Sequence, residues 1–369
     1  MRKEFVISLI LIVLTAACVD RVFLDIPVPD NYAVVVDGMI TDQPGPYKIE
    51  LTKAFDIESK NSFKAHISAR RVTISDNVGN SEDLTPISQG VYQTDPNGIQ
   101  GVIGRVYKLR VEMLDGRVYE SKPDSMAPPG NLNKVYFNYL ETNNSDGTKN
   151  YGFDVLLDSD AGRLSSYYFL WKFVGTYQVE TNPEKYTVSC GEARCPAPLP
   201  CSSYILVGGI PEYVKPCECC LCWVNFFNDL PVVSDNQFNE NGRFIGVKAT
   251  YVPINQWTFL FKVHAEVQQL SISRNAFNFW NAIRKQKQAV SDIFQPITGK
   301  IPTNLVQVSG TPAPIEGIFF AASVSTKSVF ITPQDVPNPN VIPKQNLPYT
   351  NSCVTLFPFS TTTKPAYWE

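Results

Sequence analysis

The chain has 369 residues, of which 44% are hydrophobic and 18% charged, and its formal net charge is −3. This composition predicts a packed globular body with room for two or more domains of roughly 100–200 residues each, and it argues against a disordered chain. The slightly acidic balance also argues against nucleic acid as a partner, because phosphate binding requires a basic face.

The N-terminal segment has the three zones of a bacterial lipoprotein signal. Arg2 and Lys3 form a basic start. An apolar run follows at 6–14, and a small-residue step at 15–17 ends on Cys18. In bacteria, a cysteine at this place accepts a diacylglyceryl group on its thiol, and cleavage exposes its amine. We therefore predict that Cys18 is the lipid anchor.

The predicted signal peptide covers residues 1–17, and residues 18–30 form a tether that holds the body away from the lipid. The leucine of the usual signal stands one place early, as Leu14, with Thr15 in the expected position. An ordinary cleaved signal followed by a chance cysteine is the alternative, although a free cysteine there would be a reactive liability. The apolar run is too short to cross the ~30 Å of hydrocarbon in a bilayer.

Cysteine usage agrees with export. Nine cysteines less the acylated one leave eight, and an even number in an exported chain predicts a disulfide framework. The eight candidates are Cys190, Cys195, Cys201, Cys217, Cys219, Cys220, Cys222 and Cys353. Disulfides would stabilise a long excursion at 186–224 that buries little apolar area on its own.

Zinc is the alternative use of these cysteines. Residues 217–222 contain two C-x₂-C spacings, but the three cysteines before them lack the paired spacing of a zinc ribbon. Disulfides are therefore the preferred interpretation. Adjacent Cys219 and Cys220 should then bond to different partners, because a bridge between neighbouring residues is strained.

Residues 31–126 predict an immunoglobulin-like β-sandwich. Alternating apolar and polar runs, such as 34–40, are separated by turn residues, which is typical of half-buried strands. Gly104–Leu109 resembles the tyrosine corner of such sandwiches, and Asp115-Gly116 predicts a tight hairpin. The proline-rich stretch at 128–130 marks the boundary of this domain.

Residues 131–369 predict a larger β-rich domain that contains the excursion. Strand-like runs lie at 166–173, 243–251, 257–270 and 318–330. Residues 274–290 change to helical spacing, with Ser273 as the N-cap. We therefore expect an all-β protein with one amphipathic helix.

Four stretches are similar to a known family of lipoproteins. They are Val34–Phe55, the Arg274–Gln286 helix, the Gly317–Val324 strand and the Lys364–Trp368 ending. Over nearly the whole mature chain, the sequence resembles the Bacteroidota outer-membrane lipoproteins catalogued as domain-of-unknown-function family 4249. These motifs are structural, so they indicate membership and say little about mechanism.

The resemblance implies a surface or outer-membrane lipoprotein, often encoded near TonB-dependent transporters, with an immunoglobulin-like or carboxypeptidase-regulatory-like sandwich at its N-terminus. It supplies no catalytic residues to carry over. The family's ending leads us to expect a second cysteine shortly after Cys353, but Thr355 and Leu356 stand there. The partner of Cys353 is therefore to be sought in the Cys190–Cys222 cluster.

Catalytic and metal-binding patterns find little support in the sequence. The two histidines, His66 and His264, lie near neither a serine elbow nor an H-E-x-x-H helix, so packing or surface roles are expected. Asp158-Ser159-Asp160, with Asn144-Ser145-Asp146-Gly147 upstream, lacks the ligand spacing of an EF-hand loop, so turns are preferred to a calcium site. We predict no catalytic residue, metal or cofactor. A glycosidase pair of carboxylates stays open, because sequence alone cannot pair the acidic residues.

We expect a non-catalytic binding or accessory protein on the outer membrane, facing the cell exterior and held by acyl chains such as palmitate. The expected partner is a TonB-dependent transporter in nutrient capture. A disulfide-bonded excursion suits such contacts, because its ordering entropy is lost before binding. The alternatives are a structural subunit of another outer-membrane complex, for secretion, assembly or motility, and a surface enzyme that acts on glycans or peptides.

Overall fold

Strands make up most of the regular structure in the computed structural model of this chain, which confirms the all-β class. The structure describes residues 33–54, 65–144, 146–162, 167–228, 230–234, 241–290, 301–344 and 349–368. The predicted signal peptide, the Cys18 anchor and the whole of the tether at 18–30 lie outside the described residues and stay predictions.

Nine strands near the N-terminus form most of a first sandwich. They are β1 (Ala33–Thr41), β2 (Lys48–Ala54), β3 (Ala69–Asp76), β4 (Ser81–Asp83), β5 (Thr85–Ser88), β6 (Val91–Gln93), β7 (Val106–Met113), β8 (Val118–Ser121) and β9 (Asp124–Ser125). Apolar and polar residues alternate along them, so that Val34, Val36 and Ile40 of β1 are fully buried. The alternation turns one face of each strand toward a common core.

The first sandwich has two layers around that core. One layer is β1-β2-β6-β5, and the other is β8-β7-β3-β4 with β9 beside β7. The predicted tyrosine corner is confirmed, because the Tyr107 hydroxyl accepts a hydrogen bond from the Val102 amide at 2.7 Å and donates to the Gln100 carbonyl at 3.4 Å. The predicted hairpin at Asp115-Gly116 joins β7 and β8, which pair antiparallel.

The remaining strands and helices follow from residue 131. The strands are β10 (Asn131–Asn143), β11 (Lys149–Asp160), β12 (Phe169–Glu180), β13 (Thr187–Cys190), β14 (Ala193–Pro196), β15 (Tyr204–Val207), β16 (Ile210–Tyr213), β17 (Leu221–Phe227), β18 (Val232–Val233), β19 (Arg243–Pro253), β20 (Val263–Ser271), β21 (Leu305–Ser309), β22 (Ile315–Ile331) and β23 (Ser360–Thr361). The α-helices are α1 (Arg274–Val290) and the single turn α2 (Cys353–Leu356), and short 3₁₀ turns lie at Pro183–Lys185, Pro200–Ser202, Pro333–Asp335 and Pro339–Val341. Within the described ranges, no helix combines the length and apolar character needed to cross a bilayer.

Strands β12 and β20 have apolar residues on both faces. One face, with Trp171 and Val267, packs on the three-stranded sheet β10-β11-β19 and forms a second sandwich. The other face, with Leu170 and Leu270, packs on α1. The helix begins as predicted, because the Ser273 hydroxyl accepts a hydrogen bond from the Ala276 amide at 3.2 Å.

Strand β22 belongs to both sandwiches. Its first half pairs parallel with β1, from Val34↔Ile315 to Thr41↔Ala322, and its second half pairs antiparallel with β20. The side chain of Phe319 packs in the first core and that of Ile331 in the second. A β-carbon at Gly317 would lie 1.9 Å from the Val36 carbonyl oxygen, and φ is +89°, so this close approach requires glycine.

The first sandwich is therefore completed by strands from late in the chain. β21 pairs with β8 and β22 pairs with β1, although the boundaries predicted from the sequence placed both strands in the domain at 131–369. Strand periodicity shows which face of a strand is buried but does not reveal a distant pairing partner.

The predicted strand at 257–270 begins later than expected, at Val263. The Asn255 side chain accepts hydrogen bonds from the amides of Trp257 and Thr258, and the Thr258 hydroxyl donates to the Pro253 carbonyl. These local side-chain bonds compete with strand pairing and form a turn instead.

Candidate binding surface

All eight candidate cysteines are disulfide-bonded. The four bridges are Cys190–Cys195, Cys201–Cys219, Cys217–Cys220 and Cys222–Cys353. Adjacent Cys219 and Cys220 have different partners, and Cys353 is bonded to the cysteine cluster, as the sequence predicted. Because these sulfurs are all in bridges, none of them is a thiolate ligand for zinc.

The Cys222–Cys353 bridge fixes the C-terminal segment to the base of the excursion. It joins β17 to α2 across a sequence separation of 131 residues, and both cysteines are fully buried. They pack with Val179 and Val224 in a small core of their own. The Cys353 amide also donates to the Cys219 carbonyl at 3.2 Å, which ties two of the bridges together.

A two-stranded hairpin stands on this disulfide-bonded base. β15 and β16 pair antiparallel from Tyr204↔Tyr213 to Val207↔Ile210, and Gly208 and Gly209 in the turn both have positive φ. We call residues 204–214 the apolar hairpin. At its base the Val214 amide donates to the Ser203 carbonyl at 3.0 Å, two residues after the Cys201–Cys219 bridge.

The apolar hairpin exposes large hydrophobic side chains on both strands. They are Ile205, Leu206, Val207, Ile210, Tyr213 and Val214. Single exposed hydrophobic residues are ordinary, but a contiguous set is typical of an interaction site. A two-stranded hairpin alone is only marginally stable in water, so the disulfides at its base are what present this apolar surface in a fixed conformation.

The tip of the apolar hairpin carries no charge. Residues 204–211 contain no Asp, Glu, Lys or Arg, and the first charge after the turn is Glu212. Near the base, Lys215 forms an ion pair with Glu218 on the surface. An uncharged apolar tip fits the desolvated centre of a protein interface better than its polar rim.

Sequence reasoning placed the excursion correctly among the cysteines but missed the hairpin within it. The available signal was Gly208-Gly209 between two short apolar runs, which is typical of a tight β-hairpin. The exposure of the hairpin's apolar side chains could not be predicted from strand alternation, because that pattern is read on the assumption that the apolar face of a strand is buried.

The two histidines have structural contacts in separate strands. His66 Nε2 lies 2.8 Å from a Glu50 carboxylate oxygen in the first sandwich. His264 is buried in β20, where its ring stacks on Tyr367 with centroids 4.0 Å apart. Burial lowers the pKa of His264, which favours the neutral imidazole.

Of the acidic residues considered for calcium, Asp158 lies within strand β11 rather than in a turn, and Asp160 ends that strand and accepts a hydrogen bond from the Gly162 amide at 2.7 Å. Upstream, the predicted turn is confirmed, because the Gly147 amide donates to the Asn144 carbonyl at 3.1 Å. Asp158 accepts a hydrogen bond from the Gly246 amide at 2.9 Å. Asp160 accepts from the side-chain amides of Asn133 and Asn131, and these bonds lower its pKa. Within the described ranges, no three or more His, Cys, Asp or Glu side chains form a group that could hold a metal ion.

The fold and this surface define an all-β, disulfide-bonded protein with two fused sandwiches and a protruding apolar hairpin. The chain belongs to the family described as Domain of unknown function (DUF4249), whose model matches residues 20–328. That match includes the apolar hairpin and ends before Cys353.

Other comparisons add little to the family assignment. No curated protein matches the chain significantly. Among solved structures, the chain is similar to trypsin-activated alpha-2-macroglobulin from Escherichia coli at 12% identity, with a TM-score of 0.15. The similarity covers 68% of this chain and 15% of that one.

Proposed function

We propose that this protein is a Bacteroidota-type outer-membrane lipoprotein that binds a partner protein without catalysing a reaction. The acylated Cys18 anchors the body on the outside of the cell, and the apolar hairpin docks on a TonB-dependent transporter engaged in nutrient uptake. The observation that carries the proposal is the exposed, uncharged and disulfide-bonded apolar hairpin.

A lipid anchor and a docking hairpin complement each other physically. Multiple acyl chains hold a protein almost permanently at a membrane, whereas a single chain anchors it only marginally. Confinement to the membrane raises the effective concentration of the body near an integral membrane partner. A modest apolar contact is then sufficient for stable association.

The use of the reactive side chains supports a binding role over a catalytic one. The eight cysteines after Cys18 are in disulfides, His264 stacks on Tyr367 and contacts Phe330, and His66 pairs with Glu50. Serine, cysteine and zinc hydrolases usually depend on such side chains, whereas a glycosidase would depend on a pair of carboxylates. Measured turnover of glycans or peptides by the purified protein would contradict the proposal.

Site-specific photo-crosslinking in native membranes tests the docking surface. A photo-reactive benzoylphenylalanine at Leu206 should give one covalent adduct that contains a TonB-dependent transporter, identified by mass spectrometry. The matched control places the same group at Ile245, which is 71% exposed on β19 and far from the hairpin in sequence. It should give no such adduct.

Each other outcome counts against a specific part of the proposal. An adduct with a complex that lacks a transporter would indicate a structural subunit, and an adduct with lipid would indicate insertion of the hairpin into the bilayer. Equal labelling from both positions would show that the hairpin is not a docking site. A Cys18→Ala protein should leave the membrane fraction and lose the adduct, and its retention would contradict the anchor.

A further inference from the structure

A cavity of about 420 Å³ lies between α1 and the face of β12 that packs on it. Its walls are mostly apolar and include Met39, Leu170, Leu230, Trp280 and Ile283. Cavities that bind small molecules typically measure about 300–1,000 Å³ and combine apolar walls with a few polar groups. This cavity has the size and the lining of such a site.

Lys172 is the charged residue on the sheet side of the cavity, and its neighbour Gln268 on β20 lines the cavity as well. Strand alternation puts Lys172 on the same face of β12 as Leu170 and Val174. An apolar residue would normally occupy this position, because this face packs against α1. Burial lowers the pKa of Lys172, although the charge of Asp37 acts in the opposite direction. Removing an ammonium group from water is unfavourable unless it finds a partner.

The hydrogen-bond partner of the Lys172 ammonium among the described residues is poor. Its Nζ lies 3.6 Å from the Met39 sulfur, and a thioether is a weak acceptor, whereas an ammonium group has three donors. The indole Nε1 of Trp280 is buried and has no hydrogen-bond partner within the described part of the chain. Two donors in one apolar cavity thus lack a strong acceptor.

The charged side chains that line the cavity are both cations, and Asp37, whose charge acts on Lys172, lies outside the lining. Lys172 and Lys287 both line it, and no Asp or Glu does so among the described residues. Lys287 is exposed near the C-terminal end of α1. A ligand that supplies a negatively charged acceptor and an apolar body would match both the donors and the walls.

We propose that this cavity binds a small apolar monocarboxylate. Its carboxylate pairs with the Lys172 ammonium and accepts a hydrogen bond from Trp280, and its hydrocarbon part packs against Leu170, Leu230 and Ile283. The site lies apart from the apolar hairpin in sequence, and the proposal does not depend on the partner of that hairpin.

Calorimetric titration with octanoate and with 1-octanol tests the charge requirement. The mature chain carrying Cys18→Ala is used, because acyl chains and detergent would themselves absorb these probes. Octanoate should bind at least tenfold more tightly than octanol. Failure of both octanoate and 3-phenylpropanoate to bind at millimolar concentrations would overturn the proposal.

Lys172→Met separates the charge from the shape of the cavity. The side chains have similar length, so the fold should survive and the thermal midpoint should stay equal or rise. Binding of octanoate should fall at least tenfold while binding of octanol is kept. Lys285→Met, an exposed change on α1, should leave both affinities unchanged. If Lys172→Met binds octanoate like the parent, or if Lys285→Met weakens it equally, the assignment is wrong.

Discussion

The first sandwich and the apolar hairpin achieve a fixed conformation by opposite means. In the first sandwich Val36, Leu51 and Leu109 are fully buried between two sheets, and burial of such side chains contributes about 1.5–3 kcal/mol each. In the apolar hairpin Ile205 is 54% and Ile210 is 67% exposed, and disulfides hold the base.

This difference shows how the chain keeps apolar surface available. A domain stabilised by burial uses its apolar side chains in its own core. A segment stabilised by covalent bridges keeps them exposed for a partner, since its unfolded state is already restricted. The comparison therefore predicts that these disulfides stabilise the protein mainly by restricting its unfolded state, and that a bridge contributes more when it closes a longer loop.

The largest expected effect comes from the bridge that closes the longest loop. Replacing Cys222→Ala and Cys353→Ala together should lower the free energy of unfolding by about 5 kcal/mol, the chain-entropy value for so long a loop. The bridge spans 131 residues and is fully buried. Denaturant unfolding followed by tryptophan fluorescence measures the change, because Trp257 packs against Phe357 next to α2.

The matched control is the exposed bridge in the same excursion. Cys190–Cys195 closes a separation of 5 residues, so Cys190→Ala with Cys195→Ala should lower the free energy of unfolding by about 2 kcal/mol at most. If the two double replacements lowered the free energy of unfolding equally, loop length would not determine how much each bridge contributes to stability.

Local signals in the sequence predicted the local structure well. The tyrosine corner at Tyr107, the hairpin at Asp115-Gly116 and the helix after Ser273 each depend on residues a few positions apart. The pairing of β1 with β22 brings together opposite ends of the chain, and no short-range pattern encodes it.

The candidate sites were harder to predict than the elements that carry them. The cavity at Lys172 exists because α1 packs on β12, about one hundred residues earlier in the chain. In the sequence, Lys172 is one polar residue in an aromatic strand. Its burial and its weak hydrogen bonding become visible only once the helix is in place.

The next largest effect concerns hydrogen bonding within the first sandwich. Tyr107→Phe removes the acceptor of the Val102 amide while keeping the buried ring. The bond is partly buried, so its loss should lower the free energy of unfolding by about 0.5–1.5 kcal/mol, the usual net contribution of one hydrogen bond. The same denaturant titration measures it.

Tyr136→Phe in the second sandwich provides the comparison. The Tyr136 hydroxyl donates to Asp158 at 3.3 Å from a partly exposed position, where water can replace the lost bond. Its removal should change the free energy of unfolding by less than about 0.5 kcal/mol. If Tyr107→Phe is as mild as Tyr136→Phe, the corner does not stabilise the first sandwich.

The smallest effect is a difference in pH dependence between two carboxyl groups. Burial raises the pKa of Asp124 above 3.8, although hydrogen bonds from Ser273 and from the Ala321 amide, at 2.9 Å, act against it. Hydrogen bonds from Asn133 and Asn131 lower the pKa of Asp160 below 3.8. The two groups must therefore contribute to stability with opposite signs as pH changes.

The folded state holds the Asp124 proton at pH values where the unfolded chain has lost it, so its contribution to stability falls as pH rises from 3.8 through the raised pKa. The contribution of Asp160 is present above 3.8 and is lost as pH falls through its lowered pKa. Relative to the parent, Asp124→Asn should therefore gain stability as pH rises and Asp160→Asn should lose it. Urea unfolding from about pH 3 to pH 7 measures how the free energy of unfolding of each variant, relative to the parent, changes with pH. If the stability differences of both variants changed with pH in the same direction, burial would not be the dominant influence on the pKa of Asp124, which lies where β9 meets β22.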